Sequence, residues 1–203
     1  MLKPSSDRKG IYTQIQEVLK KETKDGYKIL EPGCGSALIS IELALNKKVD
    51  IYLLDVSKKM LAKARKNCQK YKVKANFVKA PIDKMPFDDN SFDIVFNEGV
   101  LEHLKDTKKS FEEMMRVSRK KVIIFVPNSL NPFTYAYKIL SRLRGDFIGD
   151  DYGREKSLHI INLKWMFKGH KYRVIPIQRG KWFFDMFPFP FAHNLGFIFE
   201  KKA

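Results

Sequence analysis

Cysteine is scarce in this chain: Cys34 and Cys68 are the only two in 203 residues, with no C-x-x-C pair and no His-rich companion. Structural zinc sites and disulfide frameworks both draw on clustered cysteines, so neither is supported, and both thiols are expected to be free. Nothing in the sequence requires a metal. Long apolar runs are missing too. No stretch approaches the roughly 18 residues of a membrane span, and the opening "MLKPSSDRKG" lacks the apolar core of a secretory signal. A soluble, cytoplasmic protein is the expectation. Acidic residues are few, 23 against 39 Lys and Arg, which leaves a net charge of +16. Such a field attracts RNA, nucleotides, phosphorylated metabolites or anionic lipid, but it carries no information on fold. It is either a functional basic surface or the scattered lysines of a Lys-rich composition.

With 44% hydrophobic residues in this length, one α/β domain over residues 1–203 is expected. "IYTQIQEVLK" places Ile11, Ile15, Val18 and Leu19 on one helical face. "YKILEPG" reads as a buried strand ending in a glycine turn, "ALISIELALNKK" as a helix, and "DIYLLDVS" as a second strand with Asp55 at its carboxyl end. Together they form a βαβ unit. A helix over Ser57 to Lys74 follows, with eight basic residues and no acidic one. "ANFVKA" and "SFDIVFNEG" read as strands three and four, "VLEHLKDTKKSFEEMMRVSR" as one helix, and "KKVIIFVPN" as strand five. Strands alternating with helices argue for a doubly wound parallel sheet.

Beyond strand five the composition changes, and the last 77 residues hold 16 of the 26 aromatics. Residues 128–160 read as an inserted lid or substrate-binding element, because an irregular stretch of that size is usually functional. "LKWMFKGHKYRVIPIQ" then gives a helix and strand six, and "NLGFIFEKK" a closing strand seven. Phe133, Tyr135, Tyr137, Arg142 and Arg144, with Trp182, Phe183, Phe184, Phe187, Phe189 and Phe191, either wall an apolar pocket, stack nucleic-acid bases, or pack as ordinary core.

In an open α/β sheet the ligand sits at the carboxyl ends of the strands, and the first βα turn is one such place. Gly33 and Gly35 permit close backbone approach there, helix amides are expected to face the ligand, and Asp55 stands ready for ribose hydroxyls. The dinucleotide fingerprint needs a third glycine where this chain has Leu38, so a nicotinamide cofactor is disfavoured. Glu31, just ahead of the first glycine, suits an amino-acid moiety or a cation better than a pyrophosphate. A plain turn at Gly33 and Gly35, and a helix-capping role for Asp55, are the bland alternatives.

These residues resemble the class I S-adenosylmethionine-dependent methyltransferases. "ILEPGCGSA" is similar to their first motif, "LLDVSKKMLAKAR" to the second, and "KMPFDDNSFDIVFNEGVLEHL" to the stretch running through strand four in the ubiquinone/menaquinone-biosynthesis-like branch, methyltransferase domain 11. The resemblance spans about Tyr27 to Asn128. It implies a Rossmann-like seven-stranded sheet, mostly parallel, in the order 3-2-1-4-5-7-6 with the last strand antiparallel and helices on both faces.

It also implies S-adenosyl-L-methionine as cofactor, with Glu31, Gly33 and Gly35 at its methionine part and Asp55 at the ribose. Val56, Ile82 and Asp83 fall against the adenine, and Asn97 and Glu98 end strand four beside the methyl group. Two departures stand out: Ala37 replaces the third glycine of the first motif, and Pro81 replaces a frequent aspartate in the adenine loop. Glu98 and His103 are the candidate bases if the acceptor must lose a proton. The chain reads "NEGV" where amino-group methyltransferases of adenine or glutamine carry [DNS]-P-P-[FY], and it has no Pro-Cys pair of the 5-methylcytosine kind. A small-molecule acceptor is therefore the leading expectation. RNA or a ribosomal component is the alternative, and a non-catalytic cofactor-binding partner protein a further one.

Overall fold

The computed structural model describes residues 9–128, 164–177, 192 and 194–201. In chain order the elements are α1 (Lys9–Glu22), β1 (Lys28–Pro32), α2 (Leu38–Asn46), β2 (Asp50–Asp55), α3 (Lys58–Lys70), β3 (Asn76–Lys79) and β4 (Phe92–Glu98). A short 3-10 turn (Leu101–His103) leads to α4 (Thr107–Val117), β5 (Ser118–Pro127), α5 (Lys164–Phe167), β6 (Lys171–Ile177) and β7 (Asn194–Glu200). The expected lid over 128–160 lies, apart from Asn128, outside the described residues, as do the aromatics from Phe133 to Tyr137 and from Trp182 to Phe191.

The seven strands make one sheet in the order β3-β2-β1-β4-β5-β7-β6. Neighbours from β3 to β5 are parallel, and β7 runs antiparallel to both β5 and β6. This is the expected topology. The central strands are near-continuous apolar runs because both of their faces are covered. Alternation along each strand then sorts side chains into two cores. Ile29, Leu53, Ile94, Phe96, Ile123 and Phe125 pack under α1, α2 and α3. Leu30, Leu54, Val95, Val122, Ile124 and Val126 pack under α4, with Phe111 and Met114.

Helix boundaries follow local chemistry. The Ser57 hydroxyl accepts from the Met60 amide at 3.3 Å and starts α3, leaving Leu61, Ala64 and Cys68 against the sheet. The single helix expected over 100–119 is divided, because the Asp106 carboxylate caps α4 by accepting from the Lys109 amide at 2.9 Å. Upstream of that cap only one 3-10 turn forms. α2 begins differently: Ala37, at φ 59 and ψ 23, is left-handed and gives no side-chain cap. This is the position of the missing glycine, and an alanine there carries roughly 1–2 kcal/mol of strain.

Polar side chains lock the layers. Glu22, buried at the end of α1, accepts from Lys121 Nζ of β5 at 2.6 Å and from Arg173 of β6 at 2.8 Å. Burial opposes its ionisation, but these two cations hold its carboxyl below the ordinary 4.5.

Three substitutions have expected outcomes. Glu22→Gln should lower stability at neutral pH by about 2–3 kcal/mol. Because the folded pKa is depressed, the Glu22 contribution is complete above about pH 4.5 and fades as pH falls through the lower folded value. Urea titrations at pH 7 and pH 3.5 check this, and the gap between the two proteins should narrow at the acid end. Ala37→Gly should change stability by less than about 1 kcal/mol, since relief of strain offsets a lost methyl and a looser unfolded chain. The buried helical Ala64→Gly should cost about 2 kcal/mol.

Candidate active site

At the carboxyl ends of the strands, β1 hands the chain to α2 through Gly33, Cys34, Gly35, Ser36 and Ala37. The amides of Gly33 and Cys34 both donate to the Leu54 carbonyl of β2, at 2.7 and 3.0 Å. The Gly35 amide donates to Asp55 Oδ2 at 3.0 Å, and the Ala37 amide turns back to the Cys34 carbonyl at 2.7 Å. Four of these five amides are thus spent within the protein. A phosphate cradle needs turn amides pointing outward, and these four do not.

Glycine is required at residue 33 by both conformation and space. Its φ is +75, and a Cβ there would lie 2.7 Å from Val100 Cγ1 and 3.4 Å from Ile82 Cδ1. Three loops, those following β1, β3 and β4, therefore converge at one point. Gly35, at φ +52, faces Met60 of α3, and Asn67 of α3 donates to the Ser36 carbonyl at 2.9 Å. The turn is held between β2 and α3.

Three carboxylates share one face of the sheet. Glu31 is in step with Ile29, Asp55 with Leu53, and Glu98 with Phe96, and all of these apolar residues belong to the core beneath α1, α2 and α3. Glu31 sits opposite Leu53 in the β1–β2 ladder. It is buried and accepts from the Ser40 hydroxyl at 2.5 Å. Burial first, then the charges of Glu98 and Asp55, push its carboxyl from 4.5 up to about 8, against the opposing pull of the Ser40 hydrogen bonds. Among the described residues neither Glu31 nor Asp55 makes an ion pair. In a chain of net charge +16, the pocket is nonetheless acidic.

Asp55 is oriented from two sides, its second oxygen accepting from the Ser57 amide at 2.8 Å. Val56 beside it is 66% exposed, an apolar surface with no cover among the described residues. Ile82 is buried, and Asp83 is partly exposed in the turn after it. Asn97 is different. Alternation turns its side chain to the opposite face, where its Nδ2 meets Met114 Sδ of α4 at 3.4 Å. The structure does not bring that side chain to the three carboxylates. His103 closes the 3-10 turn through its amide to the Val100 carbonyl at 3.0 Å, and its side chain is exposed.

Several polar groups near this pocket go beyond the sequence-derived set. Tyr12 of α1 donates its hydroxyl to the Leu38 carbonyl at 2.6 Å, and Gln16 donates to the Ile39 carbonyl at 2.9 Å. Burial, followed by the charges of Glu42, Glu31 and Glu98, pushes the Tyr12 phenol above its ordinary 10. Glu42 of α2 is buried, and its Oε2 has no hydrogen-bond partner among the described residues. The one available signal was a lone carboxylate inside the apolar run "LISIELAL". Nothing local marked Gln16, whereas Tyr12, on the amphipathic first helix, is expected from the sequence either to close over the cofactor or simply to pack.

The donor set suits S-adenosylmethionine. That molecule carries an ammonium and a sulfonium but no phosphate, matching buried carboxylates beside a turn whose amides are already committed. A dinucleotide would bring the reverse charge. Among the described residues no group of three or more His, Cys, Asp or Glu is arranged to hold a metal ion, and no helix is long and apolar enough to cross a membrane.

Comparison with known proteins agrees. A family model described as a methyltransferase domain matches residues 23–141. The chain is 35% identical over 100 residues to the demethylmenaquinone methyltransferase of Desulfitobacterium hafniense, covering 47% of this chain and 40% of that one. The chain spans between about a fifth and a half of the length of the first curated relatives it matches, 22% and 49% in two of them. Among solved structures, a SAM-dependent methyltransferase from Aquifex aeolicus superposes with a TM-score of 0.69 at 18% identity, over 97% of this chain and 93% of the other. Magnesium protoporphyrin IX methyltransferase from Synechocystis, solved with bound S-adenosylhomocysteine, gives 0.70 at 16% identity over 97% and 85%. The chain therefore belongs to the methyltransferase domain family, whose cofactor is S-adenosylmethionine, and it has the fold of those enzymes.

Proposed function

We propose that this protein transfers the methyl group of S-adenosylmethionine to a small-molecule acceptor. The observation that carries the reading is the pairing of an internally satisfied glycine turn with buried carboxylates, Glu31 and Asp55, that make no ion pair among the described residues. The cofactor's sulfonium supplies an already activated methyl group. The protein's task is then binding, alignment and exclusion of water. Glu31 would hold the methionine ammonium, with Gly33 and Gly35 giving close approach. Asp55, fixed by two amides, has lone pairs left for the ribose hydroxyls. Val56, Ile82 and Asp83 would form the adenine wall.

Glu98 is our leading candidate for a proton acceptor, because it lies on the carboxylate face at the end of β4. His103 is the second, reaching an acceptor from the solvent side of the following turn. Asn97 would act through the main chain and by bracing β4 against α4. A small acceptor is favoured by the relative named for demethylmenaquinone.

Isothermal titration with S-adenosylhomocysteine tests the site. Asp55→Ala should weaken binding by roughly 2–3 kcal/mol, on the order of 30–150-fold, through loss of hydrogen bonds to a charged group. NAD should give no heat with either protein, and an NAD signal equal to that of S-adenosylhomocysteine would sink the assignment. Glu31 sets the pH dependence. Its folded pKa is raised, so its stabilising share in the ligand-free protein is complete below about pH 4.5 and is lost as pH rises through about 8. Melting temperature should fall across that window, less steeply for Glu31→Gln. Affinity for the cofactor should rise over the same window, since the ammonium needs an ionised Glu31.

A further inference from the structure

The eight cations of the segment from Ser57 to Lys74 are all exposed, namely Lys58, Lys59, Lys63, Arg65, Lys66, Lys70, Lys72 and Lys74. Among the described residues none of them is in an ion pair. Lys59, Lys63, Lys66 and Lys70 recur at helical spacing and stripe the face of α3 opposite the buried Leu61, Ala64 and Cys68. At 1.5 Å per residue the helix runs for roughly 20 Å. It starts just after Asp55, at the mouth of the pocket, and ends at the amino side of the sheet edge.

That far end is built differently from the stripe. Arg65 lies over the half-buried Phe77 ring of β3, 4.2 Å from its centroid, and Lys70 lies 5.3 Å from that of Tyr71. An open groove of about 460 Å³ is lined by Arg65, Gln69, Lys72, Val73 and Phe77. It adjoins, through Lys74 and Ala75, a second of about 520 Å³ that reaches Lys48 and Asn76. The carboxylate there, Asp50, accepts from Asn76 Nδ2 at 3.0 Å.

We propose that this edge, α3 with the grooves beside β3, is a docking surface for a single-stranded polynucleotide. A row of unpaired cations tracks a phosphate backbone, and a guanidinium poised over an aromatic ring gives a base something to stack on. A duplex would offer the stripe its phosphates but could not place a base in the groove. A membrane surface fits worse: the apolar residues of α3 face the sheet, and no large apolar side chain is exposed on the helix to enter lipid. The surface lies on the β3 edge, away from the β4 end where Glu98 stands, so the proposal does not depend on the acceptor or on catalysis.

Fluorescence anisotropy with a labelled 20-nucleotide oligouridine, from about 50 to 300 mM salt, tests it. For single strands log K falls by about 0.7 per phosphate contact for each unit of log salt. The triple variant Lys63→Ala, Lys66→Ala, Lys70→Ala should flatten the slope by about 2 and weaken binding at least tenfold at low salt. Lys105→Ala, Lys108→Ala, Lys109→Ala, equal in charge but around the start of α4, should leave the slope unchanged. Arg65→Gln should weaken oligouridine about fivefold or more while leaving inorganic polyphosphate, which has no bases, unaffected. An equal loss in the control triple would mean diffuse charge and overturn the proposal. So would an equal effect of Arg65→Gln on both polymers, or tighter binding to phosphatidylserine vesicles than to oligouridine. S-adenosylhomocysteine titration of the same variants keeps the two sites apart, for it should be unchanged in all of them.

Discussion

Two hydrogen bonds from Gly33 and Cys34 to the Leu54 carbonyl tie the first turn to the second strand, and the pocket is built on that tie. They bring the turn close enough for the Gly35 amide to meet Asp55, which fixes a carboxylate that would otherwise rotate. They also set Gly33 against Val100 and Ile82, so that loops from three strands share one contact. A side chain at residue 33 would separate them. The same bonds engage the Gly33 and Cys34 amides inside the protein, so the local arrangement that assembles the pocket also withholds two turn amides from any bound anion.

Charge is segregated in consequence. Carboxylates collect inside, on the sheet face beneath α1 and α2, while cations collect outside on α3. The interior group is electrostatically incomplete, as the raised pKa of Glu31 reflects: burial and neighbouring negative charge both disfavour its ionised form. A bound cation relieves both effects. The exterior group is incomplete in the opposite sense, with eight exposed cations that form no ion pair among the described residues. Net charge alone describes neither, because +16 is a sum over regions of opposite sign.

Away from the pocket the fold uses polar bridges between layers where the ligand end uses tight turns. Glu22 joins α1 to β5 and β6, and Lys201 Nζ donates to the carbonyls of Met115, Arg116 and Ser118 around the end of α4. These contacts join residues 83 to 151 apart in sequence. They fix the helices against the sheet and so hold the carboxyl ends of the strands in place.

The sequence by itself determined the strands, the glycine turn, the acidic residue closing β2 and the basic character of α3. These depend on local pattern: runs of apolar residues, small residues at a turn, charge along a helix. It also supplied the cofactor, since that followed from short motifs in order, and the family comparison bears it out. Tertiary structure alone decided the rest. Which face Asn97 takes depends on where β4 pairs, and pairing is a non-local choice. Ala37 became left-handed because the turn must close on β2, a demand that its own side chain opposes. Tyr12, Gln16 and Glu42 came together because α1 packs across α2, and the burial that made Glu31 a weak acid exists only once that packing is complete.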